Sequence, residues 1–236
     1  MIPELVTVHT SLLTDLGDAV RERWGLSGEM TIEEMTDVIK PGVPSGYTEI
    51  EWLGSNGTQR IESGIINDTL SVPLRLVAEL SYSNTNTRQL NGSQGAYYFG
   101  VVSGYFQVGQ GGTDKTNIPA ANDIKYKIDA HFSGVPNVSG NKTATVYRNS
   151  EIVGTYSSEY GEFFDVSGTY NTCLFSLNGQ NLPSTCRIYS FDIYKNNNLV
   201  RSFKPCIRQS DSVAGMYDII NGQFYTNAGS GTFITP

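Results

Sequence analysis

Leu74-Arg75-Leu76-Val77-Ala78-Glu79-Leu80-Ser81-Tyr82 is the stretch on which the fold turns. Leu74, Leu76, Ala78, Leu80 and Tyr82 alternate with Arg75, Val77, Glu79 and Ser81, and a period of two places all five apolar side chains on one face of a strand. Tyr126, Ile128, Ala130 and Phe132 repeat the pattern against Lys125, Lys127, Asp129 and His131. The same reading predicts strands over 97–102, 105–109, 143–148, 173–177 and 187–194, and over 215–225 with a turn inside it. Ser103-Gly104, Asn149-Ser150, Asn196-Asn197-Asn198 and Asn221-Gly222 stand between these runs. Asn and Gly tolerate the positive φ that tight hairpin turns impose, so the runs read as hairpins of an antiparallel sandwich or barrel.

Upstream of residue 47 the period is helical. Leu12, Leu13, Leu16, Ala19 and Val20 recur at helix spacing before Gly25. Thr31 to Ile39 opens with a capping box, Thr31 and Glu34, and halts before Pro41. Two short amphipathic helices cannot bury their apolar stripes on each other alone, so 1–40 is expected to pack on another chain or on the following domain. Residues 41–46, Pro-Gly-Val-Pro-Ser-Gly, read as a linker and 47–236 as the β domain.

Composition narrows the function classes. Of 236 residues only 17% are charged, and 16 Lys and Arg against 23 Asp and Glu give a net charge of −7. Such a chain repels polyphosphate, which argues against a nucleic-acid partner. No apolar run approaches the roughly 18 residues of a spanning helix, and Met1 to Leu13 lack the basic and apolar regions of a signal peptide. The expectation is a soluble chain with no membrane insertion. Cys173, Cys186 and Cys206 have no C-x-x-C spacing and fit buried thiols. Only Cys173 and Cys186, flanking a hairpin around 178–184, are placed to face each other.

The chain carries little that resembles a catalytic set. There is no G-x-S-x-G elbow, and the only histidines are His9 and His131, the second on the polar side of its strand. A pair of Cys206 with His131 is the one nucleophile arrangement left to consider. Carboxylates cluster at Glu49 and Glu51 and at Glu159, Glu162 and Asp165, without the E-x-D-x-x-E pattern of sandwich-fold hydrolases; they read as solvated acids, and the chain as no enzyme. The loops are the better source of function. Residues 83–93 and 109–122 are rich in Ser, Asn, Thr and Gly, with tyrosines alongside, and sugar binding needs aromatic faces plus amides and carboxylates. Tyr82, Asn84, Asn86, Tyr105, Asp114 and Asn117 are the candidate ligand-binding residues. No cofactor is implied; Asp and Asn oxygens in these loops can hold Ca2+, but no EF-hand spacing occurs.

Two further stretches are specific. Tyr47-Thr48-Glu49-Ile50-Glu51-Trp52-Leu53-Gly54-Ser55-Asn56-Gly57-Thr58-Gln59-Arg60-Ile61 resembles the opening strands of the concanavalin A-like, or laminin G-like, jelly-roll domains of phage and prophage proteins. Residues 199–208, Gly215-Met216-Tyr217-Asp218 and 221–233 resemble that family's C-terminal signature almost residue for residue. Leu16 to Arg23 and Met30 to Ile39 resemble a short helical module of phage tail and fibre proteins. The resemblance implies a mostly β, two-sheet antiparallel jelly-roll sandwich behind a small helical hairpin, with Trp52, Phe203, Tyr217 and Phe224 read as core. In function it implies a virion protein exposed on the particle, a tail fibre or receptor-binding protein that recognises host-surface carbohydrate. Residues 1–40 would join it to other virion subunits, and a homotrimer is expected. The alternative is a structural head-fibre, decoration or tail accessory protein that binds no sugar.

Overall fold

The computed structural model describes residues 14–15, 17–19, 21–22, 42–66, 73–93, 97–110, 114–132, 142–158, 171–178 and 182–236. The chain divides into two compact units, Met1–Gly42 and Val43–Pro236. In the first, residues 14–15, 17–19 and 21–22 are helical, and the Arg21 guanidinium donates to the Asp18 carboxylate one turn back. The predicted second helix, Thr31 to Ile39, lies outside the described residues.

The second unit is a two-sheet sandwich. Its strands in chain order are β1 (Tyr47–Glu49), β2 (Leu53–Gly54), β3 (Ile61–Ile66), β4 (Leu74–Tyr82), β5 (Gln89–Ser93) and β6 (Tyr97–Val102). They continue with β7 (Tyr105–Gln110), β8 (Asp114–Pro119), β9 (Tyr126–Phe132), β10 (Lys142–Arg148), β11 (Glu151–Ser158) and β12 (Asn171–Leu174). Last come β13 (Ser176–Asn178), β14 (Leu182–Pro183), β15 (Cys186–Lys195), β16 (Asn198–Arg208), β17 (Val213–Asp218) and β18 (Gln223–Tyr225). The larger sheet runs β11-β10-β9-β4-β15-β16-β17-β18, with β1 beside β16 and β2 beside β15. The smaller runs β14-β13-β5-β6-β7-β8, with β12 joining β5 to β3. Among the described residues pairing is antiparallel except where β13 meets β5.

The alternation that predicts β4 and β9 is the alternation that builds the core. Leu76, Ala78, Leu80, Ile128 and Ala130 are wholly buried and face Phe99, Val101, Phe106 and Val108 of the smaller sheet. Ring pairs stitch the layers: Phe99 stacks on Phe191 at 6.0 Å, Tyr97 meets Phe132 at 5.0 Å and Phe106 meets Tyr126 edge-on at 5.1 Å. The hairpin turns have the expected backbone, with φ of 51° and 83° at Ser103-Gly104, 49° and 74° at Asn149-Ser150, and 51° and 62° at Asn196-Asn197. The 173–177 strand is instead split by Phe175, held at φ 66° with its N–H donating to Asn91 Oδ1 at 2.7 Å.

The segments that resemble the family signature form a clasp. Gly54 and Ile234 exchange backbone hydrogen bonds of 2.8 and 2.9 Å, and the Gln59 amide donates to the Thr232 carbonyl at 2.8 Å. Of the four signature aromatics, Phe203 is core, whereas Trp52, Tyr217 and Phe224 are half-buried. Arg187 lies over Trp52 and Arg208 over Phe224, each 5.0 Å from the ring centre. The three cysteines are buried thiols with no disulfide between them.

Candidate functional site

The outer face of the larger sheet carries a groove of about 610 Å³. Its walls are the side chains that alternate with the core residues of β4, β9, β10 and β15, so one periodicity builds both surfaces. Register aligns them in rows across the sheet. His131, Arg75 and Tyr194 form one row, continued outside the groove by Thr145; Tyr147, Asp129, Val77 and Asp192 the next; Lys127, Glu79 and Ser190 the third.

The β15 members of these rows depend on a bulge. Cys186 and Ile188 point inward, but between Ile188 and Ser190 the register shifts, after which Phe191 and Ile193 are the buried ones. An extra residue on one strand inverts the alternation beyond it. Without it, Asp192 and Tyr194 would point into the core. With it, they stand in the groove.

A continuous chain of contacts crosses the centre. Arg75 donates to both oxygens of Asp129, Nε to Oδ1 at 2.8 Å and Nη2 to Oδ2 at 2.6 Å. Such a bidentate pair fixes both partners' geometry. His131 Nε2 lies 2.8 Å from Asp129 Oδ1. The Arg75 guanidinium sits 4.9 Å from the centre of the Tyr194 ring, and the His131 ring lies 5.1 Å from that of Tyr147. The two tyrosines therefore flank the ionic centre from β10 and β15, three strand spacings or about 14 Å apart. Asp129, directly bonded, keeps Arg75 charged, and the guanidinium is held above its ordinary value. Burial pushes the Asp192 carboxyl up, opposed by the Ser202 hydroxyl and then by Lys204, Arg75 and Lys127. Among the described residues the Lys127 ammonium has no ion-pair partner, whereas Glu79 is paired with Lys125 at 2.8 Å.

The residues expected from loop chemistry fall elsewhere. Tyr82 is a correction: as the fifth inward position of β4 it is fully buried, and burial pushes its hydroxyl well up, so it is a core residue. Asn84, Asn86 and Tyr105 are exposed at one end of the sandwich. There the Gly104 N–H donates to the Thr85 carbonyl at 2.7 Å and the Ala120 N–H to the Gly104 carbonyl at 2.8 Å, bringing three loops together. Asn84 Oδ1 accepts from the Asn86 N–H at 3.0 Å, a turn-forming bond. This cluster lies beyond the end of β4, about 16 Å along the strand from Glu79. Asp114 and Asn117 are on β8, not in a loop, with Asp114 opposite Val108 at the end of β7 remote from Tyr105; their side chains lie outside the described residues.

Other candidates separate or lie outside the description. Cys206 is buried on β16, three strands from His131 or about 14 Å across the sheet, so the two do not form a nucleophile pair. Burial pushes the Cys206 thiol up to about 12. Glu49 and Glu51 are exposed; Glu159, Glu162 and Asp165 are outside the described residues. Among the described residues no group of three or more His, Cys, Asp or Glu is arranged to hold a metal ion. A second depression, about 470 Å³ beside the clasp, is lined by Thr58, Gln59 and Ser230, whose polar atoms already bond across the clasp.

Comparison with known proteins gives a likeness in fold. No protein-family model matches the chain, and no curated protein matches it. Among solved structures, a putative carbohydrate binding protein from Bacteroides ovatus matches with a TM-score of 0.53 at 15% identity. The match covers 80% of this chain and 60% of that one, so this chain spans about three fifths of the neighbour's length. At that identity the likeness shows the sandwich architecture.

Proposed function

We propose that this chain is a carbohydrate-binding protein of a bacteriophage particle, a tail fibre or receptor-binding protein that holds host-surface glycan in the groove of its larger sheet. The observation that carries the reading is the Tyr194–Arg75–Asp129–His131–Tyr147 chain of contacts. Carboxylate and guanidinium groups fixed by one another present acceptors and donors to sugar hydroxyls at no further ordering cost, and tyrosines on either side supply apolar surface for pyranose C–H faces. The fold shared with the Bacteroides ovatus protein, described as carbohydrate binding, supports the same reading. The two sequence signatures support the phage setting. In that setting residues 1–40 join the protein to other virion subunits, the sandwich is exposed on the particle, and the chain acts as a homotrimer without catalysis.

Fluorescently labelled full-length protein, incubated with a panel of gut bacterial strains, tests it. Saturable, strain-restricted binding is expected, competed by that strain's extracted surface polysaccharide and weakened at least about tenfold in Asp129→Ala. Binding that polysaccharide does not compete, or that Asp129→Ala leaves unchanged, overturns the groove. Absence of binding to every strain favours an architectural role in the particle.

A further inference from the structure

The groove does not end at Arg75 and His131. On their far side lies a second hollow of about 190 Å³, lined by Leu74, Phe132, Thr145 and Asn197 together with Arg75 and His131 themselves. The two hollows thus share one wall. From Lys127 to His131 the first runs about 13 Å along β9, and the second prolongs it toward the β15–β16 turn. Asn197 sits in that turn at φ 62°, exposed, and among the described residues its side-chain amide is used in no hydrogen bond.

Among the described residues charge is balanced along this length. Arg75 and Lys127 face Asp129 and Asp192, and Glu79 is neutralised by Lys125. An anionic polymer would need surplus cations here, and approaching a chain of net charge −7 would cost it further. Hydroxyls, by contrast, satisfy donors and acceptors alike.

We infer that the ligand is an uncharged, linear oligosaccharide lying along the strands across the Arg75–His131 wall, its terminal unit bonded by Asn197. The inference rests on the groove being the glycan site. Its test begins with full-length protein on an array bearing mannan, galactan, β-1,3-glucan and xylan beside polygalacturonate and alginate. Calorimetry then follows with a di- to hexasaccharide series cut from whichever polymer is retained. Retention of a neutral polymer is expected, with hexasaccharide bound about tenfold tighter than disaccharide. Asn197→Gly keeps the left-handed turn while removing the amide. It is expected to weaken hexasaccharide binding about three- to tenfold, the loss of one or two hydrogen bonds, and to leave the disaccharide unchanged. Equal affinity at all chain lengths, or an Asn197→Gly protein that binds hexasaccharide normally, overturns the second hollow. Retention of the anionic polymers alone overturns the charge assignment. In these cases loss of binding in Asp129→Ala still upholds the groove, whereas retention of no polysaccharide overturns both.

Discussion

Asp218 and Asp192 are both withdrawn from water, and their neighbours treat them differently. Asp218 is fully buried and accepts from the Ser202 N–H at 3.0 Å, the Ile220 N–H at 3.1 Å and the Asn221 amide at 2.6 Å, with the Arg201 guanidinium at 3.4 Å. It closes the β17–β18 turn onto β16. Asp218→Ala strands these donors, and urea denaturation is expected to show a loss of about 3 kcal/mol, the usual cost of breaking a buried charged network. Asp192 lacks such a set, and burial raises its carboxyl above the ordinary 3.8. The folded chain therefore keeps this proton at pH values where the unfolded chain has released it. Below 3.8 both states are protonated and the site is neutral to stability; as pH rises through the raised value, the fold must ionise a desolvated group and stability is lost. Asp192→Asn removes that penalty. Its melting temperature relative to wild type is expected to be higher at about pH 7 than at about pH 3, with the gap opening through the carboxylate range. A gap that widens toward acid would show that Ser202, Lys204 and Arg75 outweigh burial.

Strands, turns and the clasp are legible in the sequence to different degrees, and the differences have physical causes. β4 and β9 are plain because one face is apolar and the other polar. The turns at Ser103-Gly104 and Asn149-Ser150 are plain because positive φ restricts the residue choice. β5 is hidden: Gln89 to Ser93 are all buried yet mostly polar, so the strand shows no alternation and reads as part of a loop. Arg75, Asp129 and His131 are visible as the polar sides of their strands, but their meeting depends on cross-strand register. That Asp192 and Tyr194 join them depends on a one-residue bulge that pattern does not reveal. The clasp is visible only through resemblance, and its geometry explains why glycine stands in it. A Cβ on Gly229 would lie 2.2 Å from the Thr58 carbonyl oxygen. Gly229→Ala must therefore part 227–232 from 55–60, and hydrogen exchange of the Ser230 N–H, which donates to Thr58 at 3.0 Å, is expected to rise at least about tenfold. Unchanged exchange would mean that the clasp opens and closes independently of this contact.

Across the whole molecule, two units with different sequence periods call for different partners. The described helical residues, 14–15, 17–19 and 21–22, lie in a stretch whose sequence predicts only short amphipathic helices, and such helices do not persist alone in water, since nucleation costs more than a few turns return. A segment of that kind gains stability by association, and association changes what the sandwich can do. One shallow polar groove binding one glycan is a weak interaction; three on a common base convert the second and third contacts into intramolecular ones at millimolar effective concentration. The homotrimer in our reading is therefore a functional expectation as much as a structural one. Light scattering of the full chain at micromolar concentration is expected to give three times the 25.8 kDa of one chain. Dissociation from a polysaccharide-coated surface should then slow as coating density rises, by at least about a hundredfold from sparse to dense, the range multivalency supplies. A mass of one chain, with dissociation independent of density, would leave each sandwich acting singly and remove the role assigned to residues 1–40.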